Sequence, residues 1–223
     1  MNGCISNSNQ MTDSLRVAVR IRPEETKETE RCLLHPVSAK ENASSLISII
    51  KDKTNKENDR GAGHHSSASS TTTTYEFDKI FGTESTQSEV FDYVQPLVDE
   101  CLKGFNVTIF AFGMTGSGKT HTISGEFSHE DDLGILPRAV NRVFKSLMQT
   151  SSNSESVSMV CLTYVELYNN HLNDLLCPEG SIDGDATNLK IHEHPKRGIY
   201  LTGSKGIRTP VTSPEECMQL IQI

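Results

Sequence analysis

The octapeptide Gly113-Met114-Thr115-Gly116-Ser117-Gly118-Lys119-Thr120 meets the pattern G-x-x-x-x-G-K-[ST] at every fixed position, and it follows an apolar run from Val107 to Phe112. Such a loop constrains the fold strongly, because it needs a strand to deliver the chain into a tight turn and a helix to carry it away. Glycines at 113, 116 and 118 let the backbone turn so that successive N–H groups face phosphate oxygens, while the following helix offers its positive N-terminal end. Lys119 would reach the β- and γ-phosphates of a nucleotide as a point charge, and the Thr120 hydroxyl would ligate Mg²⁺. The competing reading is a Gly-rich loop that matches by accident, and the strand-like run before it counts against that.

With 223 residues, 35% apolar and 22% charged, the chain has room for one sizeable core, which makes it one domain or part of one. Its six cysteines (Cys4, Cys32, Cys101, Cys161, Cys177, Cys217) include no C-x-x-C pair, and three lie in apolar-periodic segments, a usage that fits a reducing, intracellular compartment. No apolar run approaches the roughly 18 residues that span a bilayer. The polar start Met1-Asn2-Gly3-Cys4 has neither signal-peptide form nor the second-position glycine of myristoylation, so no membrane association is expected. A formal net charge of −8 argues against a nucleic-acid partner, whose binder would carry a basic surface. Positive charge is local: Lys190, Lys196, Arg197, Lys205 and Arg208, with His192 and His194, stand against Glu193 alone. That segment reads either as a docking patch for an acidic partner or as a solvated face.

After a polar tail over residues 1–14, Val17, Val19 and Ile21 alternate with Arg16, Ala18 and Arg20, which predicts a strand from Leu15 to Ile21 closed by Pro23. Ser45 to Ile50 is a second strand candidate. Gly61 to Thr74 reads GAGHHSSASSTTTT and is expected to be a disordered surface loop, in which His64 and His65 lack the Cys or acidic neighbours of a metal site. Thr86-Gln87-Ser88-Glu89 is a capping box opening a helix with Val90, Phe91, Val94, Leu97, Val98, Cys101 and Leu102 at helical spacing. Pro96 is expected to bend that helix, and Gly104 suits its left-handed C-terminal position. Beyond the phosphate loop the helix is interrupted by the acidic stretch Gly125 to Leu133 and resumes through Val140, Val143, Phe144, Leu147 and Met148. Val157 to Tyr168 predicts one long strand. Asp183-Gly184-Asp185 is read as a turn, since the glycine is misplaced for a calcium loop. Ser213-Pro214-Glu215-Glu216 starts a further helix, and the chain stops at Ile223 as though cut inside it. Strands alternating with helices around this loop imply an α/β class, a P-loop NTPase with a central, mostly parallel β-sheet and helices on both faces.

Several motifs then act together: Val17-Ala18-Val19-Arg20-Ile21-Arg22-Pro23, Phe77-Asp78-Lys79-Ile80-Phe81, the stretch from Gly104 to Thr122, Gly134-Ile135-Leu136-Pro137-Arg138 and Tyr164-Val165-Glu166-Leu167-Tyr168-Asn169. In order and spacing they resemble the kinesin motor domain, over residues 15–223 apart from the loop 61–74, which would be a surface insertion. The resemblance implies a microtubule-dependent ATPase with ATP and Mg²⁺ as ligands, tubulin as partner, and a place on the cytoplasmic microtubule cytoskeleton. Arg20 and Pro23 match the family's R-x-R-P element beside the adenine, and His121 matches a residue close to the nucleotide. On their own Arg20 and Pro23 also read as a strand end, and His121 as a helix-surface histidine. Lys190, Lys196, Arg197 and Lys205 fall in a region that contacts tubulin in the family, whose surface is acidic. The acidic stretch after Gly125 matches a variable loop near the nucleotide.

Met114, Phe112 and Asn170 depart from the glutamine, tyrosine and glutamate that the family usually carries at these positions. The family also uses two switch stretches, N-x-x-S-S-R-S-H and D-x-x-G, to sense Mg²⁺ and the γ-phosphate. Both are expected to be missing from this chain, and no apolar strand ends in an aspartate fit to be the Walker B ligand. No catalytic residue is therefore assigned, and the chain reads as the N-terminal part of a motor head that holds nucleotide without efficient hydrolysis. Loss of one charge-stabilising group in phosphoryl transfer can lower the rate by ~10³ to 10⁵. The alternatives are a truncated nucleotide-binding module without turnover, left with unpaired sheet edges, and an unrelated P-loop NTPase or kinase, against which the R-x-R-P and G-I-L-P-R elements speak. Oligomeric state, subfamily, direction of movement and cargo are not encoded in these motifs.

Overall fold

The alternation of Val17, Val19 and Ile21 becomes a short parallel ladder in the computed structural model, which describes residues 15–23, 35–37, 45–52, 70–151, 159–177, 189–196, 198–203 and 208–222. Two compact units are present, Met1–Ser85 and Thr86–Ile223. In the first, β1 (Ala18–Arg20) pairs in parallel with β5 (Lys79–Phe81). The pairing runs past the strand ends, with Ile21 N donating to Phe81 O at 2.9 Å and Asp78 N to Val17 O at 3.0 Å. The Asp78 carboxylate accepts from Val17 N at 2.7 Å and so closes the entry to the ladder.

Beside this pair in sequence, β2 (His35–Val37), β3 (Ser45–Asp52) and β4 (Ser70–Phe77) form an antiparallel sheet in the order β2-β3-β4. The strand expected from Ser45 to Ile50 is present and two residues longer. Ser70 to Thr74, expected to belong to a low-complexity loop, instead pair with β3 from Ser70 opposite Asp52 to Thr74 opposite Ser48. The reason is chemical: the four threonines are β-branched and suit a pleated strand as well as any apolar residue does. His64 and His65, with the rest of 61–69, lie outside the described residues.

The second unit is built on helices. In α1 (Gln87–Leu102) the capping box forms as the sequence predicts: Thr86 Oγ1 accepts from Glu89 N at 3.2 Å, and the Glu89 carboxylate accepts from Thr86 N at 2.8 Å. The helix continues through Pro96 and ends at Gly104, whose φ of 97° lies in the left-handed region where a Cβ is penalised. Val90, Phe91, Val94 and Val98 form its buried stripe. After a five-residue helix, α2 (Lys119–Ile123), and a 3₁₀ turn at Glu130–Asp132, the chain enters α3 (Ile135–Ser151). The expected interruption at Gly125 to Leu133 is therefore real. Arg142 of α3 grips Asp99 of α1 through two contacts, Nε to Oδ1 at 2.8 Å and Nη2 to Oδ2 at 3.0 Å.

The far side of α3 packs on β6 (Val160–Leu162), its antiparallel partner β11 (Thr209–Val211), and α4 (Pro214–Ile221). Phe144, Val211 and Cys217 are the buried centre, surrounded by Val140, Val160, Leu162, Met218, Leu220 and Ile221. Complete burial of each large apolar side chain contributes about 1.5–3 kcal/mol. Ser213 caps α4 as expected, its hydroxyl accepting from Glu216 N at 3.1 Å, and Glu216 in turn accepts from Thr212 N at 2.7 Å.

Two strand expectations need correction. The stretch expected as one strand from Val157 to Tyr168 breaks at Thr163-Tyr164, because its two halves find different partners: β6 pairs with β11, and β7 (Val165–Tyr168) turns back on β8 (His171–Asp174). Asn169 and Asn170, at φ 48° and 64°, occupy the two central positions of that two-residue hairpin, where left-handed conformations match the strand twist. The run Val107 to Phe112 forms no strand. Strands exist by their hydrogen-bonded neighbours, and among the described residues none lies beside it. Its alternation survives all the same: Val107, Ile109 and Ala111 are half-buried, while Phe110 and Phe112 are 74% and 94% exposed. The last hairpin, β9 (Lys190–His194) with β10 (Gly198–Thr202), is exposed along β9. Among the described residues β1 and β5 are the one parallel pair.

Candidate nucleotide-binding site

The loop from Gly113 to Gly118 lies on the surface between the extended run and α2. Ser117 N donates to Met114 O at 3.1 Å, closing a turn inside it. Gly118, the N-cap of α2, has φ 96° and ψ 19°, a conformation that an L side chain disfavours. At Gly113 the constraint is space: a Cβ would run into the Ser117 hydroxyl. Lys119 folds back over the loop, its Nζ donating to Gly113 O at 3.1 Å and Met114 O at 2.8 Å. Two of the three ammonium donors thus fix the side chain, and the third is left for an anion.

With only five residues and no buried one, α2 is too short to hold itself or to carry much of a macrodipole. An anion at this loop would meet the loop amides and Lys119 more than a helix end. What fixes α2 is its surroundings. Gln87, in the first turn of α1 and 5% exposed, donates from Nε2 to His121 O at 2.7 Å and to Asp132 O at 3.3 Å, and the same nitrogen lies 3.3 Å from His121 Nε2. Gly134 N donates to Ser124 O at 3.0 Å. Arg138 holds the 3₁₀ turn by donating to the carbonyls of Leu133 at 2.8 Å and of Glu130 and Asp131 at 3.1 Å each. Sequence reasoning saw Gln87 only as a letter inside a capping box and Arg138 only as the end of a motif. No periodicity marks a polar residue that is buried to bind backbone.

Among the other expected site residues, Arg20 and Pro23 belong to the first unit. Arg20 is half-buried at the end of β1, with Nη2 donating to Ser85 O at 3.4 Å, and burial lowers its pKa from the usual value. Pro23 is exposed beyond the strand. His121 is exposed on α2, with its ring against Gln87. Lys190 and Lys196 are exposed on the β9–β10 hairpin, whereas Arg197 and Lys205 lie outside the described residues, as does Asp183-Gly184-Asp185. Strand alternation places Lys190, His192 and His194 on one face of β9, and Glu193 with Ile191 on the other. His192 stacks on its cross-strand partner Tyr200 with ring centroids 5.5 Å apart. The letters D-x-x-G do occur, at Asp131-Asp132-Leu133-Gly134, contrary to the expectation that they are missing. They lie in the 3₁₀ turn and its exit, with Asp131 O bound by Arg138, and follow no strand.

The residues present fit a nucleotide phosphate. A Cβ at 113 would displace the Ser117 hydroxyl, the loop amides belong to an exposed loop, and one cation is anchored at its mouth. Thr120 offers one exposed hydroxyl in the first turn of α2. Among the described residues no group of three His, Cys, Asp or Glu side chains could hold a metal. A lone hydroxyl suits a cation carried chiefly by phosphate and water, which is how Mg²⁺ is held. Among the described residues no helix is long and apolar enough to cross a membrane.

A family model for the kinesin motor domain matches residues 20–223. The kinesin heavy chain of Botryotinia fuckeliana is 30% identical over 214 residues, which cover 95% of this chain and 21% of that protein. The motor domain of the Kar3-like kinesin from Ashbya gossypii superposes with a TM-score of 0.68 at 26% identity, covering 93% of this chain and 57% of that one. A fast kinesin, whose structure was described for its implications for ATPase mechanism and interactions with microtubules, superposes with a TM-score of 0.66 at 27% identity and covers 94% of this chain and 51% of that one. The chain thus spans about a fifth of that curated relative and a little over half of the solved chains.

Proposed function

This chain belongs to the kinesin motor-domain family, and from that membership we propose that it is the nucleotide-binding part of an ATP-driven microtubule motor acting on the cytoplasmic cytoskeleton. The observation that carries the reading is the Gly113–Thr120 loop, with Lys119 anchored on the carbonyls of Gly113 and Met114. ATP with Mg²⁺ is the proposed ligand. The amides of the loop and Lys119 would hold its phosphates and Thr120 the metal, with His121 close to the nucleotide; Arg20 and Pro23 match the family's adenine element by sequence. When bound, Mg²⁺ neutralises part of the phosphate charge. The chain's own residues bind and orient: the glycines keep the cradle open to close approach, and Lys119 supplies a fixed positive charge.

The exposed basic face of β9, with Lys190, and Lys196 in the following turn supports an acidic partner, and tubulin is the one that family membership suggests. Turnover is assigned to the motor domain as a whole, and no catalytic residue is assigned here. The exposure of Phe110 and Phe112 favours a second reading, in which the chain by itself holds nucleotide without hydrolysing it. Cosedimentation with microtubules tests the main reading. Pelleting that depends on whether Mg-ADP or a non-hydrolysable ATP analogue is present is expected, and absence of microtubule binding in every nucleotide state would contradict it.

A further inference from the structure

We propose that Gln87 is a positioning residue of the nucleotide site, an anchor on a different helix that holds Lys119 and Thr120 in place through the backbone of His121. The inference rests on the nucleotide reading above and deepens it. The helix that carries Lys119 and Thr120 has five residues and none of them fully buried, so propagation does not fix it and it depends on the contacts its end makes with α1 and with the start of α3. Its last four carbonyls lack donors within the helix, and the carbonyl of His121 is one of these. The Gln87 amide supplies the missing donor at 2.7 Å from a side chain that is 5% exposed.

The orientation of that amide follows from its neighbours. Two carbonyl oxygens, of His121 and Asp132, face the same atom, so that atom is the NH₂ group and not the amide oxygen. The two hydrogens of that group go to the two carbonyls, and the ring nitrogen His121 Nε2 is a third neighbour at 3.3 Å. One buried amide thereby ties the end of α2 to the 3₁₀ turn that leads into α3. Asp132 O also accepts from Glu126 N at 3.0 Å, which ties the same point to the loop 125–133. A displacement of α2 at His121 is transmitted directly to Lys119 and Thr120, since the helix has fewer than two turns.

Gln87→Met keeps length and burial while removing the donors. Binding of a fluorescent Mg-ADP to the full chain is expected to weaken by about tenfold, with faster release, because the amide's bond to the His121 carbonyl is lost. Nitrogen NMR of the His121 ring, whose Nε2 lies 3.3 Å from the amide, should show a changed signal in the same variant. Val90→Ala, a buried apolar change in α1 that removes no hydrogen bond, serves as the comparison: it should lower the melting temperature but leave Mg-ADP affinity within about twofold of the parent. Equal losses of affinity in Gln87→Met and Val90→Ala, or parental affinity and an unchanged His121 ring signal in Gln87→Met, would overturn the proposal while leaving the nucleotide reading intact. A parent chain that binds no Mg-ADP would refute that reading, and the proposal with it.

Discussion

Gly134→Ala tests how tightly the end of α2 is packed. Gly134 sits between the 3₁₀ turn and α3, and an ideal Cβ on it lies 2.5 Å from the Ile123 carbonyl oxygen and 2.7 Å from the carbonyl carbons of Ile123 and Ser124. Ordinary contact lies at about 3.5–4.0 Å, so the two backbones must separate by roughly 1 Å. They are not free to do so, since Gly134 N donates to Ser124 O at 3.0 Å and Gln87 holds His121 O three residues earlier. Overpacking of this kind costs about 1–3 kcal/mol, which for a chain of this size is a fall of roughly 2–12 °C in melting temperature. The displaced atoms end the helix that begins with Lys119, so Mg-ADP affinity should fall in the same variant. Thermal unfolding followed by circular dichroism, alongside fluorescent Mg-ADP titration, reads both effects. Gly82→Ala is the control, because a Cβ there meets nothing within 4 Å. If Gly134→Ala melts with the parent, the close packing of α2 against the start of α3 is refuted.

Charge reversal at Lys190 and Lys196 should weaken microtubule binding at low salt and have little effect at high salt, since exposed charges are screened; equal binding by variant and parent at low salt would make the hairpin a solvated face. Asn170→Val should destabilise the chain by about 1–2 kcal/mol in chemical denaturation, because a β-branched residue resists the φ of 64° that the hairpin turn requires; an unchanged midpoint would contradict that turn. The hydrogen bond from Arg142 holds the Asp99 carboxyl below the usual carboxylate range. Its contribution is therefore present above roughly pH 4 and lost as pH falls through the depressed value. The stability difference between parent and Asp99→Asn should shrink in acid, and a difference that persists at the lowest pH would refute the pairing.

Features written in local chemistry were legible in the sequence. The capping box at Thr86 and Glu89, the Ser213 cap, the left-handed Gly104 and the glycines of the phosphate loop each depend on residues a few positions apart, and each is found as expected. Features that depend on a distant partner were not. Val107 to Phe112 has a strand's alternation without a pairing neighbour among the described residues, and the long run to Tyr168 divides because its halves meet β11 and β8. The threonines at 71–74 read as low complexity until β3 lies opposite them. At the site, the loop and Lys119 could be read directly, whereas the buried work of Gln87 and the clasp of Arg138 on three carbonyls could not, because both bind backbone and backbone leaves no signature in the letters.

The central claim, that Gly113 to Thr120 is a nucleotide-phosphate cradle, is tested most directly by calorimetric titration of Mg-ADP into the parent chain and into Lys119→Ala. Saturable one-site binding by the parent, abolished by Lys119→Ala with the melting temperature retained, is the predicted result. Equal affinity in the two proteins would contradict it.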